Sequence, residues 1–291
     1  MVAGVGLVDI AKSIYLQPSF SAPLIFAGGL LFGFGMVLSN GCASRALVLL
    51  GKGNLRSLVV IAIIGIAAQM TLKGLIAPAR LAFLQATQTT PAAVSAPALL
   101  ATFGIDEFVA RIAVTLIVVG GLLIFAFSDR QFRRAYGQIA AGLAVGLLVT
   151  AGWLATGWLG ADDFNPIPVT SLSFVSPIAD TLQYTMLSTG LTLNFSVALV
   201  VGVLSGSVLT AVLTGRFKLE GYTSPSHMVR SISGAALMGI GGAMAYGCSI
   251  GQGLTGLSTL GMPSFIAVAG IVSGAALGIR GAVVIPALAT R

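Results

Sequence analysis

Residues 195–213 read FSVALVVGVLSGSVLTAVL, a run of 19 positions without a single charged side chain. A helix rises 1.5 Å per residue, so a helical run of this length spans about 28 Å, close to the ~30 Å hydrocarbon core of a bilayer. Lipid offers no hydrogen bonds to the backbone, which restricts spanning segments to helices and closed barrels. Barrel strands alternate apolar and polar residues, and this run does not. It therefore predicts a transmembrane helix.

The composition of the whole chain extends this prediction. Of its 291 residues, 56% are hydrophobic and only 8% are charged, and the mean hydropathy is +1.01. A soluble domain carries about 25% charged residues, so this chain cannot coat a soluble particle. The net charge of +7 arises from short basic loops, and such loops mark the cytoplasmic side of membrane proteins. We expect an all-α, polytopic helix bundle in the lipid bilayer, one membrane domain over residues 1–291, and no nucleic acid as a partner.

Apolar runs and loop charges give the expected organisation. Further uninterrupted spans are predicted at Leu55–Leu75, Phe108–Phe127 and Gly137–Leu159, and interrupted ones at Pro23–Leu50 and Ser231–Ile279. Basic loops at Asp129–Arg134 and Arg216–Arg230 are assigned to the cytoplasm, as are Lys52 and Arg56, and the acidic loop Asp162–Asp180 is assigned to the outside. Residues 1–22 are expected to form a short interfacial helix.

An internal repeat is the most informative pattern in the sequence. Residues 28–42 read GGLLFGFGMVLSNGC and residues 234–248 read GAALMGIGGAMAYGC, with six identities at an offset of 206 (248 − 42). The only two cysteines, Cys42 and Cys248, occupy the same place in the two segments. The pattern predicts a two-fold repeat with halves at residues 23–128 and 137–280.

Glycine-interrupted segments at matching positions of two repeats are typical of transporter sites near the bilayer midplane. A broken helix exposes backbone N–H groups and a positive dipole end to which an anion can bind. We expect broken or re-entrant helices at both Gly-Cys pairs, with the glycines adopting the unusual backbone angles and both thiols lining one narrow path. The candidate path residues are Asn40, Gly41, Cys42, Ser44, Arg45, Tyr246, Gly247, Cys248, Ser249 and Gln252.

The same residues admit other interpretations. The cysteines could be small buried hydrophobes or could form a disulfide with each other, and the glycines could serve helix packing alone. Glycines four positions apart predict close helix packing at Gly29/Gly33, Gly142/Gly146, Gly202/Gly206 and Gly270/Gly274/Gly278. Arg45 could attract the anion or anchor the helix at the cytoplasmic surface. His227 is expected to be an ordinary surface residue.

With these residues in hand, the chain resembles the YeeE/YedE family of membrane proteins, which import sulfur-containing ions, thiosulfate in the best-understood branch. The paired Gly-x-Gly…Gly-Cys segments and the loop Gly215–Tyr222 carry the resemblance, which covers about Gly28 to Arg280. It implies short broken helices that meet at a constricted centre, and thiols at Cys42 and Cys248 that pass the anion along by weak S–H contacts. It also implies a cytosolic sulfur-acceptor protein as a partner.

One feature departs from the family pattern. Thiosulfate carriers of the family usually have a further cysteine before the first Gly-Cys segment, and this sequence has no third cysteine. Either the chain belongs to a branch with a two-thiol path, or its sequence starts late.

Several chemistries are excluded by residue type. One histidine and two distant cysteines cannot supply four zinc ligands, and Gly51-Lys52-Gly53 lacks the rest of a phosphate-binding loop, so no metal or cofactor is expected. We expect a transporter of the bacterial inner membrane rather than an enzyme, with a small sulfur-containing anion as its cargo. The alternatives are a channel for another small solute, an intramembrane thiol enzyme that forms a persulfide, and a structural subunit.

Overall fold

A computed structural model describes residues 8–160, 168–222 and 224–289. In those ranges the regular structure is helical, and strand pairing is limited to isolated bridges. The α-helices are α1 (Ala22–Leu38), α2 (Ala43–Gly51), α3 (Leu55–Leu72), α4 (Ala77–Thr87), α5 (Ala96–Ala101), α6 (Glu107–Ser128), α7 (Arg130–Arg134), α8 (Tyr136–Leu154), α9 (Val175–Met186), α10 (Phe195–Leu213), α11 (Pro225–Met244) and α12 (Met262–Ala289).

Six helical stretches in the described residues are long and apolar enough to cross a membrane: Ala22–Gly51, Leu55–Leu72, Glu107–Ser128, Tyr136–Leu159, Phe195–Leu213 and Met262–Gly281. Each predicted uninterrupted span corresponds to one of them, with ends that differ by at most three residues. The predicted all-α, polytopic membrane fold is confirmed.

The predicted interruption within Ser231–Ile279 is present: α11 ends at Met244 and α12 begins at Met262, with a π-helix at Gly251–Gly256 and a 3₁₀ helix at Leu257–Thr259 between them. Two other local predictions were wrong. The predicted loop Asp162–Asp180 ends inside α9, whose Pro177 lies in the first turn, where a missing N–H costs nothing. Short 3₁₀ helices at Ile10–Lys12 and Ile14–Leu16 stand where an interfacial helix over residues 1–22 was expected. Residues 1–7 and 161–167 lie outside the described residues.

Polar residues set the starts of the helices. A side-chain oxygen of the residue before the helix accepts a hydrogen bond from a backbone N–H of the first turn, which satisfies a donor that has no partner inside the helix. The residues that do so include Ser21, Asn54, Ser95, Asp106, Asp129, Asn194 and Ser224. These caps explain why the helices begin where they do in an otherwise uniform apolar sequence.

The described chain divides into two compact units. The first comprises the described parts of Met1–Phe20, Thr89–Leu172 and Leu254–Phe265. Its core contains Tyr15 and Trp153, whose rings meet edge to face with centroids 6.3 Å apart, and the indole N–H donates to Ser258 Oγ at 3.3 Å. Helix α6 in this unit exposes Ile117 and Phe125, as a lipid-facing helix does.

The second unit comprises Ser21–Gln88, Ser173–Gly253 and the described part of Ile266–Arg291. Helices α1 and α11 run antiparallel through it in close contact, because glycines let their backbones approach. A Cβ atom on Gly28 would lie 2.8 Å from the carbonyl oxygen of Gly241, and one on Gly35 would lie 2.5 Å from that of Gly234. In the sequence repeat, Gly28 corresponds to Gly234 and Gly35 corresponds to Gly241. In the structure the contacts cross, because Gly28 lies against Gly241 and Gly35 lies against Gly234.

Two pairs of predicted packing glycines lie at a second tight contact, between α1 and α12. A Cβ on Gly29 would lie 2.6 Å from the carbonyl oxygen of Ala267, and one on Gly270 would lie 2.6 Å from that of Phe26. By contrast, Gly142 and Gly146 of α8 and Gly202 and Gly206 of α10 have nothing within 4 Å of such an atom among the described residues. The spacing of small residues therefore predicted packing correctly at α1 and α12 only.

The second unit draws helices from both predicted repeat halves, so the units do not coincide with residues 23–128 and 137–280. The symmetric glycine contacts of α1 and α11 fit a two-fold relation between the Gly-Cys segments. The repeat of whole halves, the re-entrant course of the broken helices and the single domain over residues 1–291 stay predictions.

Candidate functional site

The first Gly-Cys segment interrupts the chain between α1 and α2. The N–H of Ser39 donates to the carbonyl of Gly35 at 2.9 Å and that of Gly41 donates to Met36 at 3.0 Å, a pattern that closes the end of a helix. Between them Asn40 adopts a left-handed backbone conformation with φ of 60°. Cys42 is extended and α2 begins at Ala43.

The second segment repeats this geometry. The N–H of Ala245 donates to Gly241 and that of Gly247 donates to Gly242, both at 2.9 Å, and Tyr246 has a φ of 56°. The chain is helical again from Ser249 and continues as a π-helix over Gly251–Gly256. The breaks predicted from the sequence are present at both sites.

The reason given for the glycines was wrong, because the left-handed residue is the one before each of them. Asn40 and Tyr246 have positive φ, and neither Gly41 nor Gly247 does. The glycines instead allow close approach of a neighbouring side chain. A Cβ on Gly41 would lie 2.9 Å from Cδ of Arg45, and one on Gly247 would lie 3.2 Å from Cγ of Gln252.

Cys42 faces a cavity of about 150 Å³. Its Sγ lies 3.1 Å from the hydroxyl oxygen of Ser44. Cys42 is the N-cap residue of α2, but its side chain makes no capping hydrogen bond. The described residues that line the cavity are Ser39, Asn40, Gly41, Cys42, Arg45, Ala46, Leu49, Asn54, Arg56, Ser57, Val60, Tyr222, His227 and Ser231.

Cys248 is enclosed, with 1% of its surface exposed. Its Sγ accepts the N–H of Gly251 at 3.3 Å, and it belongs to an apolar cluster with Phe32, Ile64 and Met238. Cys42 packs against the same cluster. Both cysteines are free thiols, so the disulfide alternative is not realised.

Gln252 ties the second segment together from inside. Its backbone N–H donates to the carbonyl of Cys248 at 2.8 Å, and its side-chain Nε2 donates to the carbonyl of Ala245 at 2.5 Å. The residue is 1% exposed, and its Oε1 has no hydrogen-bond partner among the described residues.

The predicted path residues thus fall into two groups. Asn40, Gly41, Cys42 and Arg45 line the cavity, and Ser44 contacts the Cys42 thiol. The residues of the second segment, which are Tyr246, Gly247, Cys248, Ser249 and Gln252, are not among the described residues that line it. A continuous path from Cys42 to Cys248 stays a prediction.

The cavity is also lined by residues that were not among the candidate path residues. Arg56 was assigned only a cytoplasmic position and His227 only a surface role, yet both line the cavity together with Tyr222. Their positions follow from contacts between distant segments: Arg56 Nε donates to the carbonyl of Gly221 at 2.6 Å, and the hydroxyl of Tyr222 donates to the carbonyl of Arg56 at 3.4 Å. The sequence offered one signal for these cavity residues, which is that basic residues flank the two Gly-Cys segments.

In the part of the chain that the structure describes, no three His, Cys, Asp or Glu side chains come together.

Comparison with known proteins decides the family. The family model described as sulphur transport matches residues 1–277. The chain belongs to this family. Relatives include the thiosulfate transporter TsuA of Spirochaeta thermophila, 25% identical over 251 residues that cover 82% of this chain and 72% of that protein. The thiosulfate transporter TsuA of Escherichia coli is 24% identical over 243 residues, which cover 78% of this chain and 65% of that protein. Family membership and the spans make this chain a multi-pass membrane protein of sulphur transport.

Proposed function

We propose that this protein imports a small sulfur-containing anion, thiosulfate first, across the bacterial inner membrane along a path that includes the thiols of Cys42 and Cys248. The observation that carries the proposal is the position of Cys42 at a break between helices, facing a cavity that Arg45 and Arg56 also line. The names of the two relatives support thiosulfate as the cargo, and transport rather than catalysis as the activity.

The chemistry of the thiols suits such a cargo. A neutral S–H group is a weak donor, so it can replace part of the hydration shell of an anion without holding it tightly, as conduction requires. A thiolate would repel the anion. Soft sulfur on the protein also matches the terminal sulfur of thiosulfate, which sulfate lacks.

Two thiols at equivalent backbone breaks support a relay. Cys42 is half-buried at the cavity, and Cys248 is enclosed in the apolar cluster that Cys42 also contacts. In the proposed order of events the anion meets both thiols during one crossing, and the enclosed Cys248 becomes accessible through movement of its own segment. A cytosolic sulfur-acceptor protein would then remove the anion.

The test is uptake of radiolabelled thiosulfate into cells that express the parent, Cys42→Ala or Cys248→Ala. We expect at least a tenfold loss in each variant, because each removes one donor from the path. Ser205→Ala is the matched control: it also removes one small polar side chain from a membrane helix, and its hydroxyl donates only to the carbonyl of Gly202 in its own helix. Uptake at the parent rate in either cysteine variant would exclude a relay role for that thiol.

The same variants separate the alternatives. A channel for another solute predicts unchanged solute flux in the double Cys→Ser variant. A thiol enzyme predicts a sulfur adduct on one of the cysteines, detectable by mass spectrometry of the protein after turnover. The transport proposal predicts neither result.

A further inference from the structure

A polar cluster lies between α3 and α9, at the C-terminal end of α3. The side-chain amide of Gln69 on α3 donates to the side-chain oxygen of Gln183 on α9 at 2.8 Å, and the ammonium group of Lys73 donates to the same oxygen at 3.1 Å. Asp180 lies one helical turn before Gln183, and its carboxylate interacts with the charge of Lys73. The cluster therefore lies close to the last residue of a membrane span.

Asp180 differs from the other carboxylates in the part of the chain that the structure describes. It is partly buried, whereas the others are exposed, namely Asp9, Asp106, Glu107, Asp129 and Glu220. The ion pairs among the described residues involve Asp9 and Glu107, and Asp180 forms none there. Its hydrogen-bond partner is the neutral hydroxyl of Ser196, in the first turn of α10. A buried charge without an ion pair is costly, and a carboxylate in that position is able to take up a proton.

Few charged groups face Asp180. Lys73, at the end of α3, acts on its carboxylate, and Arg80 of α4 lies at the same end of α3, where its Nε donates to a backbone carbonyl at 3.0 Å. Helix α10 has no charged side chain, and the basic residues of α11 lie in its first two turns, whereas α11 meets α9 near its last turn. On α9 itself the other titratable group is Tyr184, one turn away. The main electrostatic partner of Asp180 is therefore Lys73.

Helix α9 connects this cluster to the second thiol. Phe174 and Val175, at the start of the helix, belong to the buried core cluster that contains Cys248. Asp180 is six residues after Phe174 (180 − 174), which is about 9 Å of helical rise. A movement of α9 therefore affects both the partly buried carboxylate and the packing around the enclosed thiol.

Import of a divalent anion needs a source of energy. The interior of a cell is electrically negative, so the membrane potential opposes the entry of each negative charge. A proton that crosses with the anion cancels one of these charges and also moves down the proton gradient. Carboxylates within the membrane commonly serve as proton relays in transporters, and Asp180 has the burial and the partners that such a group requires.

We propose that Asp180 is a proton-binding site that couples import of the sulfur anion to proton entry. The inference rests on the proposed function for the cargo and its direction. Loop charge assigns the Arg56 end of α3 to the cytoplasm, so the cluster at the other end faces the outside, from which the proton binds. Protonation removes the negative charge that Lys73 attracts, which frees α9 to move with the core around Cys248. The proton leaves to the inside in the same cycle, and the carboxylate is restored.

The test is proton movement in proteoliposomes that contain the purified full-length protein and trapped pyranine, a pH-sensitive dye. Potassium and valinomycin clamp the membrane potential. An inward thiosulfate gradient should acidify the interior with the parent, and at least about tenfold more slowly with Asp180→Asn. That variant should still exchange internal for external thiosulfate, because exchange needs no net proton transfer. Asp129→Asn is the matched control: it makes the same change at an exposed carboxylate whose side-chain oxygen caps α7, and it should acidify like the parent.

A second variant covers the case in which Asp180→Asn fails to fold. Ser196→Ala removes the hydroxyl that favours the ionised carboxylate, so the proton should bind at higher pH. The pH at which thiosulfate uptake is half-maximal should then rise by about half a unit or more, a fraction of what a hydrogen bond to a charged group contributes. Ser205→Ala makes the same change on the same helix, where the hydroxyl donates to the carbonyl of Gly202, and should keep the parent profile.

Coupling and transport fail separately. Three results would overturn the coupling and leave the proposed function standing: thiosulfate uptake by the parent without acidification, acidification by Asp180→Asn at the parent rate, or equal pH profiles for Ser196→Ala and Ser205→Ala. A parent that moves no thiosulfate would reject the proposed function, and the coupling with it.

Discussion

Asn40 and Tyr246 hold the left-handed backbone position at the two Gly-Cys breaks, and their side chains suit it differently. Asparagine enters this region more readily than most residues, whereas for a bulky side chain the conformation is strained by about 1–2 kcal/mol. Strain of this kind persists where the surrounding structure fixes the residue. At the second break, the two hydrogen bonds of Gln252 to Ala245 and Cys248 supply that constraint.

Replacing Asn40 tests the backbone conformation directly, because its side chain is exposed and loses few contacts. We expect Asn40→Ala to lower the free energy of unfolding by about 1 kcal/mol, since alanine has no local hydrogen bond to offset a positive φ. Asn40→Gly should equal or exceed the parent in stability. Thermal unfolding in detergent measures both, and equal melting temperatures for alanine and glycine would show that residue 40 is not left-handed.

At the scale of elements, glycine contacts between α1 and α11 position both Gly-Cys segments. Each helix presents two glycines to the other, and each ends at a break that carries a cysteine. A change at this contact therefore alters both segments at once.

Gly35→Ala should disrupt this contact, because its Cβ would lie 2.5 Å from the carbonyl oxygen of Gly234 and 2.9 Å from the N–H nitrogen of Met238. Both neighbours are backbone atoms that cannot rotate away, so we expect a loss of about 1–3 kcal/mol or more, the usual cost of overpacking. Gly202→Ala in α10 is the matched control, since nothing lies within 4 Å of its new atom. The melting temperature in detergent should fall for Gly35→Ala alone; equal values would refute the close α1–α11 contact.

The sequence predicted some elements and not others for physical reasons. The spans could be predicted because each is a continuous apolar run, and the breaks because two Gly-Cys pairs share one repeat position. Helix α9 was missed because Asp180 and Pro177 are typical of loops, whereas in the fold Ser173, Val175 and Ile178 are buried. The spacings Gly142/Gly146 and Gly202/Gly206 predicted helix faces made of small residues, but they did not predict what those faces contact.

The candidate site was half predictable. Local patterns identified Cys42, Arg45 and their neighbours. Arg56 and His227 could not be assigned to the cavity, because α3 and α11 meet only through tertiary packing and the two residues are 171 positions apart in sequence (227 − 56).

At the scale of the whole molecule, the charges of the loops predict how the protein is oriented in the membrane. That orientation in turn predicts the side on which the cavity opens. The cavity contains Arg56 and residues of the Arg216–Arg230 stretch, both of which are assigned to the cytoplasmic side. The cavity should therefore open toward the cytoplasm. Cys42 would be accessible from that side, and Cys248 would be enclosed.

Thiol labelling tests this orientation with single-cysteine proteins. In inside-out vesicles a membrane-impermeant maleimide should label Cys248→Ala, which retains Cys42, much faster than Cys42→Ala, which retains Cys248. Right-side-out vesicles should show little labelling of either. Fast labelling of Cys42 from the outside would reverse the orientation, and equal rates for the two thiols would contradict the burial of Cys248.

The most direct test of the central claim is thiosulfate counterflow in proteoliposomes that contain only the purified protein, lipid and unlabelled internal thiosulfate. We predict rapid accumulation of external radiolabelled thiosulfate by the parent and by Ser205→Ala, and at least a tenfold slower rate for Cys42→Ala and Cys248→Ala. Counterflow at the parent rate in the double Cys→Ala protein would contradict a thiol-lined path for the sulfur anion.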